Sequence, residues 1–217
     1  MVVELGVGQD GDGRRELEQR AVGLVGLHHE PRTVAHNALN AAAALTACRL
    51  AGADLATAAA ALKDFTGAGR RFERLGTTPA GALVVDDYAH HPTEVAATIA
   101  AARTLAPRRV VAVFQPHLYS RTQAQAREFG AALAAADVVV VTGIYEARER
   151  QEDFPGVSGL RVAEAAADAG GGRPVAWMPT LADAERHVQA LERDGDLVLT
   201  LGAGDVDGLG RALVATA

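Results

Sequence analysis

From residue 82 onward, five short β-branched runs alternate with five helical stretches, and that rhythm leaves few folds open. ALVVDD, RVVAVF, DVVVVT, RPVAWM and DLVLTL read as strands; TEVAATIAAARTL, RTQAQAREFGAALAAA, GLRVAEAAADAG, LADAERHVQALER and GLGRALVATA read as helices. A repeated strand and crossover helix gives strands that run the same way, so the predicted fold is α/β: a Rossmann-like, mostly parallel sheet with helices on both faces. RFERLGTT, ahead of the turn at PAG, can pair with ALVVDD as an antiparallel edge hairpin. With 49% hydrophobic residues in 217, the chain has enough apolar material for one full core and part of a second.

Upstream the pattern changes. NALNAAAALTACRLAG, from Asn37 to Gly52, predicts a helix of strong formers closed by glycine, and DLATAAAALKDF predicts a second one capped by Asp54. The glycines of FTGAGRR, residues 65–71, place a domain boundary there, dividing the chain into 1–68 and 69–217. The first 34 residues carry no lasting period and predict a strand fragment or loose structure.

Composition excludes several functions. A net charge of −6 with interspersed signs lacks the basic stripe of a nucleic-acid-binding face. No run of about 18 apolar residues exists and MVVELGVGQDGDG has no signal-peptide pattern, so a cytoplasmic location without membrane attachment is expected. The one cysteine, Cys48, reads as a buried inert thiol, which rules out an intrachain disulfide or a cysteine-based zinc site, and no metal-ligand set is assigned. Lys63 is the only lysine.

Sheets of this type bind ligands beyond the carboxyl ends of their strands. Three such ends carry polar or glycine-rich loops: DDYAHH, with Asp87, Tyr88 and His90; FQPHLYSRT, with His117, Tyr119, Ser120 and Arg121; and LGAGD. Pro92 suits the first turn of the helix after DDYAHH. Plainer readings stay open. Asp86 could cap a turn, Asp87, His90 and Arg121 could form a structural ion-pair network, and Trp177 could sit in the core or an interface. His28 and His29 read as solvated. Gly202, Gly204 and Gly208 have the wrong spacing for a dinucleotide fingerprint, and a phosphoacceptor receiver would need a lysine after the last strand.

Taken together, DDYAHHPTE, FQPHLYSRT, HNALN, GRRFE and LGAGD closely resemble motifs of the Mur ligases, in particular the branch that joins L-alanine to UDP-N-acetylmuramate in peptidoglycan precursor synthesis. The resemblance covers residues 36–217 and implies the end of a central ATPase domain followed by a C-terminal domain. It implies an ATP-dependent amide ligase in which the muramoyl carboxylate is phosphorylated, the amine of L-alanine attacks, and phosphate leaves. By the same resemblance, His36, Asn37 and Asn40 lie on the adenine side, Arg71 reaches the nucleotide phosphates, and Asp87 accepts from the ribose hydroxyls. Tyr88, His90 and Arg121 surround alanine and the acyl centre, with His90 and Arg121 the catalytic candidates. Tyr145 and Glu149 match more loosely.

The departures are specific. Leu118 stands where the family commonly has arginine, and Thr33 and Val34 where a Pro-Gly pair is usual. The family's glycine-rich GKT loop, which cradles phosphates and helps organise Mg²⁺, has no counterpart in the sequence, and Lys63 has no glycine loop around it. The expected protein is the C-terminal part of a ligase, inactive alone, with most Mg²⁺ ligands elsewhere and a separate N-terminal half as a possible partner. A noncatalytic module derived from such a ligase and the related murein-tripeptide ligase are the alternatives.

Overall fold

A computed structural model of the chain describes residues 31–63 and 69–215. The chain divides into two units, residues 1–66 and 67–217.

In the first unit, α1 (Pro31–Leu50) and α2 (Leu55–Lys63) pack through Ala41, Ala42 and Leu62. The helix begins at Pro31, six residues before the expected start, with a proline whose missing N–H costs nothing in a first turn. It ends as expected: Gly52 takes the left-handed backbone, φ +84°, that closes a helix. Asp54 caps α2 by accepting from the Thr57 N–H at 2.8 Å. Cys48 is half-buried, a correction to the fully buried thiol. The expectation for the leading residues, and that for His28 and His29, falls outside the described residues.

The second unit holds a six-stranded sheet of β1 (Glu73–Thr77), β2 (Leu83–Asp87), β3 (Arg109–Phe114), β4 (Val138–Thr142), β5 (Val175–Met178) and β6 (Asp196–Leu201), in the spatial order β1-β2-β6-β3-β4-β5. β1 is the antiparallel edge strand that RFERLGTT predicts, and all other pairings are parallel. The five predicted strands all form. Side chains alternate between faces. From β3, Val110, Ala112 and Phe114 join one core with Val95 and Ile99 of α3 (Pro92–Thr104), Phe129 of α4 (Tyr119–Leu133) and Val162 of α5 (Leu160–Ala169). Val111 and Val113 join the other with Val188 of α6 (Leu181–Leu191) and Leu209 and Leu213 of α7 (Val206–Ala215). Trp177 is half-buried against the first core, and Gly130 of α4 lets α5 approach so closely that a Cβ there would lie 2.5 Å from Ala165.

Register places the site. Asp87 pairs with Leu201, Leu201 with Phe114, and Phe114 with Val141, so β2, β6, β3 and β4 reach their carboxyl ends at nearly one level. α3, α4 and α5 cover one face while α6 and α7 cover the other, so neighbouring connections leave this rim in opposite directions. A crevice opens at such points.

Candidate functional site

The loop after β2 is held by its own polar groups. Pro92 opens α3, His91 caps it, and the Glu94 carboxylate accepts from the N–H groups of His90 at 3.0 Å and His91 at 3.2 Å. His90 Nδ1 lies 3.0 Å from the carbonyl of Tyr88; that contact puts a proton on Nδ1, so the neutral ring carries its lone pair on Nε2. A base placed so can take a proton from an amine.

The two aspartates of DDYAHH do different work. Asp86, 0% exposed, accepts from Arg70 Nε at 2.9 Å and from the Thr200 hydroxyl at 2.6 Å. It is a buried ion pair rather than the turn cap considered from sequence. Asp87 accepts from the Phe72 N–H and the Ala89 N–H, each at 2.8 Å. Its carboxylate therefore ties β1 to the loop after β2, with two lone pairs left over. Burial pushes the Asp87 carboxyl above its ordinary range, against the pull of those two N–H groups and of Arg71. Asp87, His90 and Arg121 do not form an ion-pair network: Arg121 donates instead to the carbonyl of His90, at 3.3 Å.

The same bond brings the loops after β2 and β3 together. Arg121 sits in the first turn of α4, and among the described residues it has no carboxylate partner. Arg71 is exposed, unpaired among the described residues, and lies over the Tyr88 ring at 5.6 Å. Leu118, at the position where the family commonly has arginine, is 4% exposed and holds φ +72°, a conformation that strains a residue with a side chain. Glu149 caps α4, accepting from the Ser120 N–H at 2.9 Å and from its hydroxyl. Desolvation pushes that carboxyl up, but the Ser120 bonds outweigh it and hold the group below its ordinary range.

His117, named above with the FQPHLYSRT loop but given no specific contact, belongs to this edge. Its ring lies 6.0 Å from that of His90 and stacks on Tyr145 at 5.8 Å, and its Nδ1 is buried with no hydrogen-bond partner among the described residues. Its place in FQPHLYSRT was the available signal. Burial pushes the imidazole below its ordinary value of 6.5, and Arg121, His90 and Arg148 push the same way against Glu149. The folded chain therefore binds this proton less readily than the unfolded chain. The stability linked to it is present above pH 6.5 and is lost as pH falls from there through the depressed folded value. Urea midpoints of the wild type should fall across that window, and His117→Asn should flatten the fall. An unchanged slope in the variant would show that His117 is solvated.

Next to this edge lies an open cleft of about 340 Å³ lined by Gln115, Thr142, Tyr145, Pro179, Leu181 and Asp205. It meets the cationic edge at Tyr145. Of the adenine-side candidates, Asn40 is exposed on α1, whereas the side chains of His36 and Asn37 fall outside the described residues. Among the described residues no cluster of three or more His, Cys, Asp or Glu could hold a metal ion. No described helix is long and apolar enough to cross a membrane.

Comparison with known proteins decides the family. The model of the Mur ligase, glutamate ligase domain matches residues 70–204. The chain belongs to the Mur ligase family. Among similar Mur ligases, the UDP-N-acetylmuramate–L-alanine ligase of Mycolicibacterium smegmatis is 50% identical over 191 residues, 84% of this chain and 38% of that ligase. The corresponding ligase of Desulforamulus reducens is 44% identical over 93% of this chain and 42% of its own length. The crystal structure of the UDP-N-acetylmuramate-alanine ligase MurC of Thermotoga maritima matches with TM-score 0.65 and 29% identity, over 83% of this chain and 37% of that one. A murein peptide ligase of Psychrobacter arcticus matches with TM-score 0.65 and 27% identity, over 83% of this chain and 36% of that one. The chain thus spans about two fifths of the Mur ligases it resembles, and the stretch matched is their C-terminal portion.

Proposed function

We propose that this chain is the C-terminal part of an ATP-dependent ligase that joins L-alanine to UDP-N-acetylmuramate, contributing nucleotide and L-alanine contacts. The observation that carries the reading is Arg121: a guanidinium at the sheet's carboxyl rim, bonded to one backbone carbonyl and without a carboxylate partner among the described residues. A cation left over beside the His90 imidazole suits the carboxylate of a small amino acid. His90, with its lone pair on Nε2, suits removal of a proton from the amino group, and the Tyr88 ring supplies an apolar wall.

The nucleotide contacts follow the same logic. Arg71 is free to hold phosphate oxygens in a planar fork, and the remaining lone pairs of Asp87 can accept from a diol. When bound, ATP supplies the phosphoryl group that turns the substrate carboxylate into an electrophile. The residues present fit that ligand in part, since the sequence has no glycine-rich GKT loop to cradle the phosphates. We assign that cradle, most Mg²⁺ ligands and the UDP-N-acetylmuramate site to the N-terminal portion of such a ligase, and residues 31–63 to the end of the ATPase domain. A murein-tripeptide acceptor is the second reading, favoured by the structural match to a murein peptide ligase.

With ATP, Mg²⁺, UDP-N-acetylmuramate and L-alanine all present, the isolated chain is expected to release no phosphate above background, because positioning of the transferred phosphoryl group needs the missing loop. Turnover that survives repurification and disappears in Arg71→Ala would overturn that assignment.

A further inference from the structure

GRRFE contains two arginines, and the structure turns them in different directions. Arg71 is exposed, whereas Arg70 holds a left-handed backbone, φ +58°, that a residue with a side chain adopts only at a cost. That conformation folds the Arg70 side chain back along the rim. Its Nε donates to Asp86 at 2.9 Å, Nη1 to the carbonyl of Gly204 at 2.7 Å, and Nη2 to the carbonyl of Gly202 at 2.7 Å. The guanidinium also lies over the Tyr88 ring at 5.2 Å, and the Arg70 carbonyl accepts from the Tyr88 N–H at 2.8 Å. One side chain thereby joins the strand entry, the end of β2 and the glycine loop after β6.

The glycine loop passes the constraint on. A Cβ at Gly204 would lie 2.5 Å from the Tyr145 ring and 2.3 Å from Gln115 Oε1, so the loop backbone is packed directly against both. Tyr145 in turn stacks on His117. Movement of Gly204 would therefore displace the ring on which His117 rests.

We infer that Arg70 is a positioning residue: its guanidinium fixes the Tyr88 ring directly and the Tyr145–His117 stack through Gly204, and it leaves ligand contact to Arg71. Its functional consequence rests on the reading of this rim as the ligand edge of a Mur ligase. Lysine cannot substitute, because three acceptors spread around one plane match a guanidinium and not a point charge.

The chain has three tyrosines, so ring-labelled protein gives a spectrum simple enough to follow each. In Arg70→Lys, the Tyr88 and Tyr145 signals should move while Tyr119 stays in place, and melting should remain cooperative. Exchange of the Gly202 amide, which donates to the Asp87 carbonyl at 3.1 Å, should quicken and the Kd for added L-alanine should rise, each by about tenfold, the worth of one charge-assisted bond. Arg70→Met should show the same pattern more strongly, and Arg71→Lys, whose guanidinium meets only the Tyr88 ring of the three, should leave Tyr145 and Tyr119 unmoved. If Tyr88 and Tyr145 keep their wild-type signals in folded Arg70→Lys, the inference is wrong. It is equally wrong if all three tyrosines shift together or cooperative melting is lost, since Arg70 would then hold up the whole unit. Should the wild type show no response to L-alanine while the tyrosine pattern appears, the clamp stands and the ligand reading fails.

Discussion

Asp86→Ala should lower the stability of the second unit by about 3–5 kcal/mol, the cost of removing one partner from a buried ion pair. Asp86 is fully enclosed, and without its carboxylate the Arg70 Nε–H and the buried Thr200 hydroxyl lose an acceptor. Arg70 itself is partly exposed, with 21% of its side-chain surface open, which places the loss toward the lower end. Urea denaturation followed by far-UV circular dichroism reads the effect. Asp86→Asn, which keeps one acceptor and the shape, should lose less. A loss below about 1 kcal/mol in the alanine variant would match a surface pair and contradict the burial of this one.

Arg121→Ala should weaken L-alanine binding by roughly ten- to a hundredfold while leaving ATP binding little changed, as a charge-assisted pair is worth about 1.5–3 kcal/mol. The site offers little redundancy. Leu118 occupies the position of the family's second arginine, and its side chain is buried. Calorimetric titration with each ligand measures the split, in wild-type and variant enzymes that join this chain to the N-terminal portion of the Mycolicibacterium smegmatis ligase. Equal losses for both ligands would mean that Arg121 supports the fold or the nucleotide, and its assignment to the alanine carboxylate would fall.

The sheet was readable because its runs are short, β-branched and regularly spaced, and because Pro92, Gly52 and Asp54 each do at their positions what local backbone chemistry favours. The site was readable only as three loops. Strand alternation says that Asp86 and Asp87 point to opposite faces but not which one meets an arginine. Likewise GRR does not reveal which arginine turns inward, since that depends on a left-handed residue at Arg70 and on carbonyls 132 and 134 positions away. His117 was legible as a polar residue of the FQPHLYSRT loop but not its role, because its neighbours, His90 and Tyr145, come from other strand ends. The kink of α4 at Gln125, with φ −126° and ψ 18°, has no proline or glycine to announce it.

The central claim is that this chain carries the L-alanine half of a Mur ligase site. The direct measurement joins the chain, in place of the matching C-terminal portion, to the remainder of the Mycolicibacterium smegmatis ligase, and follows UDP-N-acetylmuramate-dependent incorporation of labelled L-alanine. The prediction is product formation that requires ATP, prefers L-alanine over a murein tripeptide, and falls sharply in Arg121→Ala. A chimaera that melts cooperatively and binds UDP-N-acetylmuramate yet forms no product would contradict the claim, and one that accepts the tripeptide in preference to L-alanine would move the chain to the murein peptide ligases.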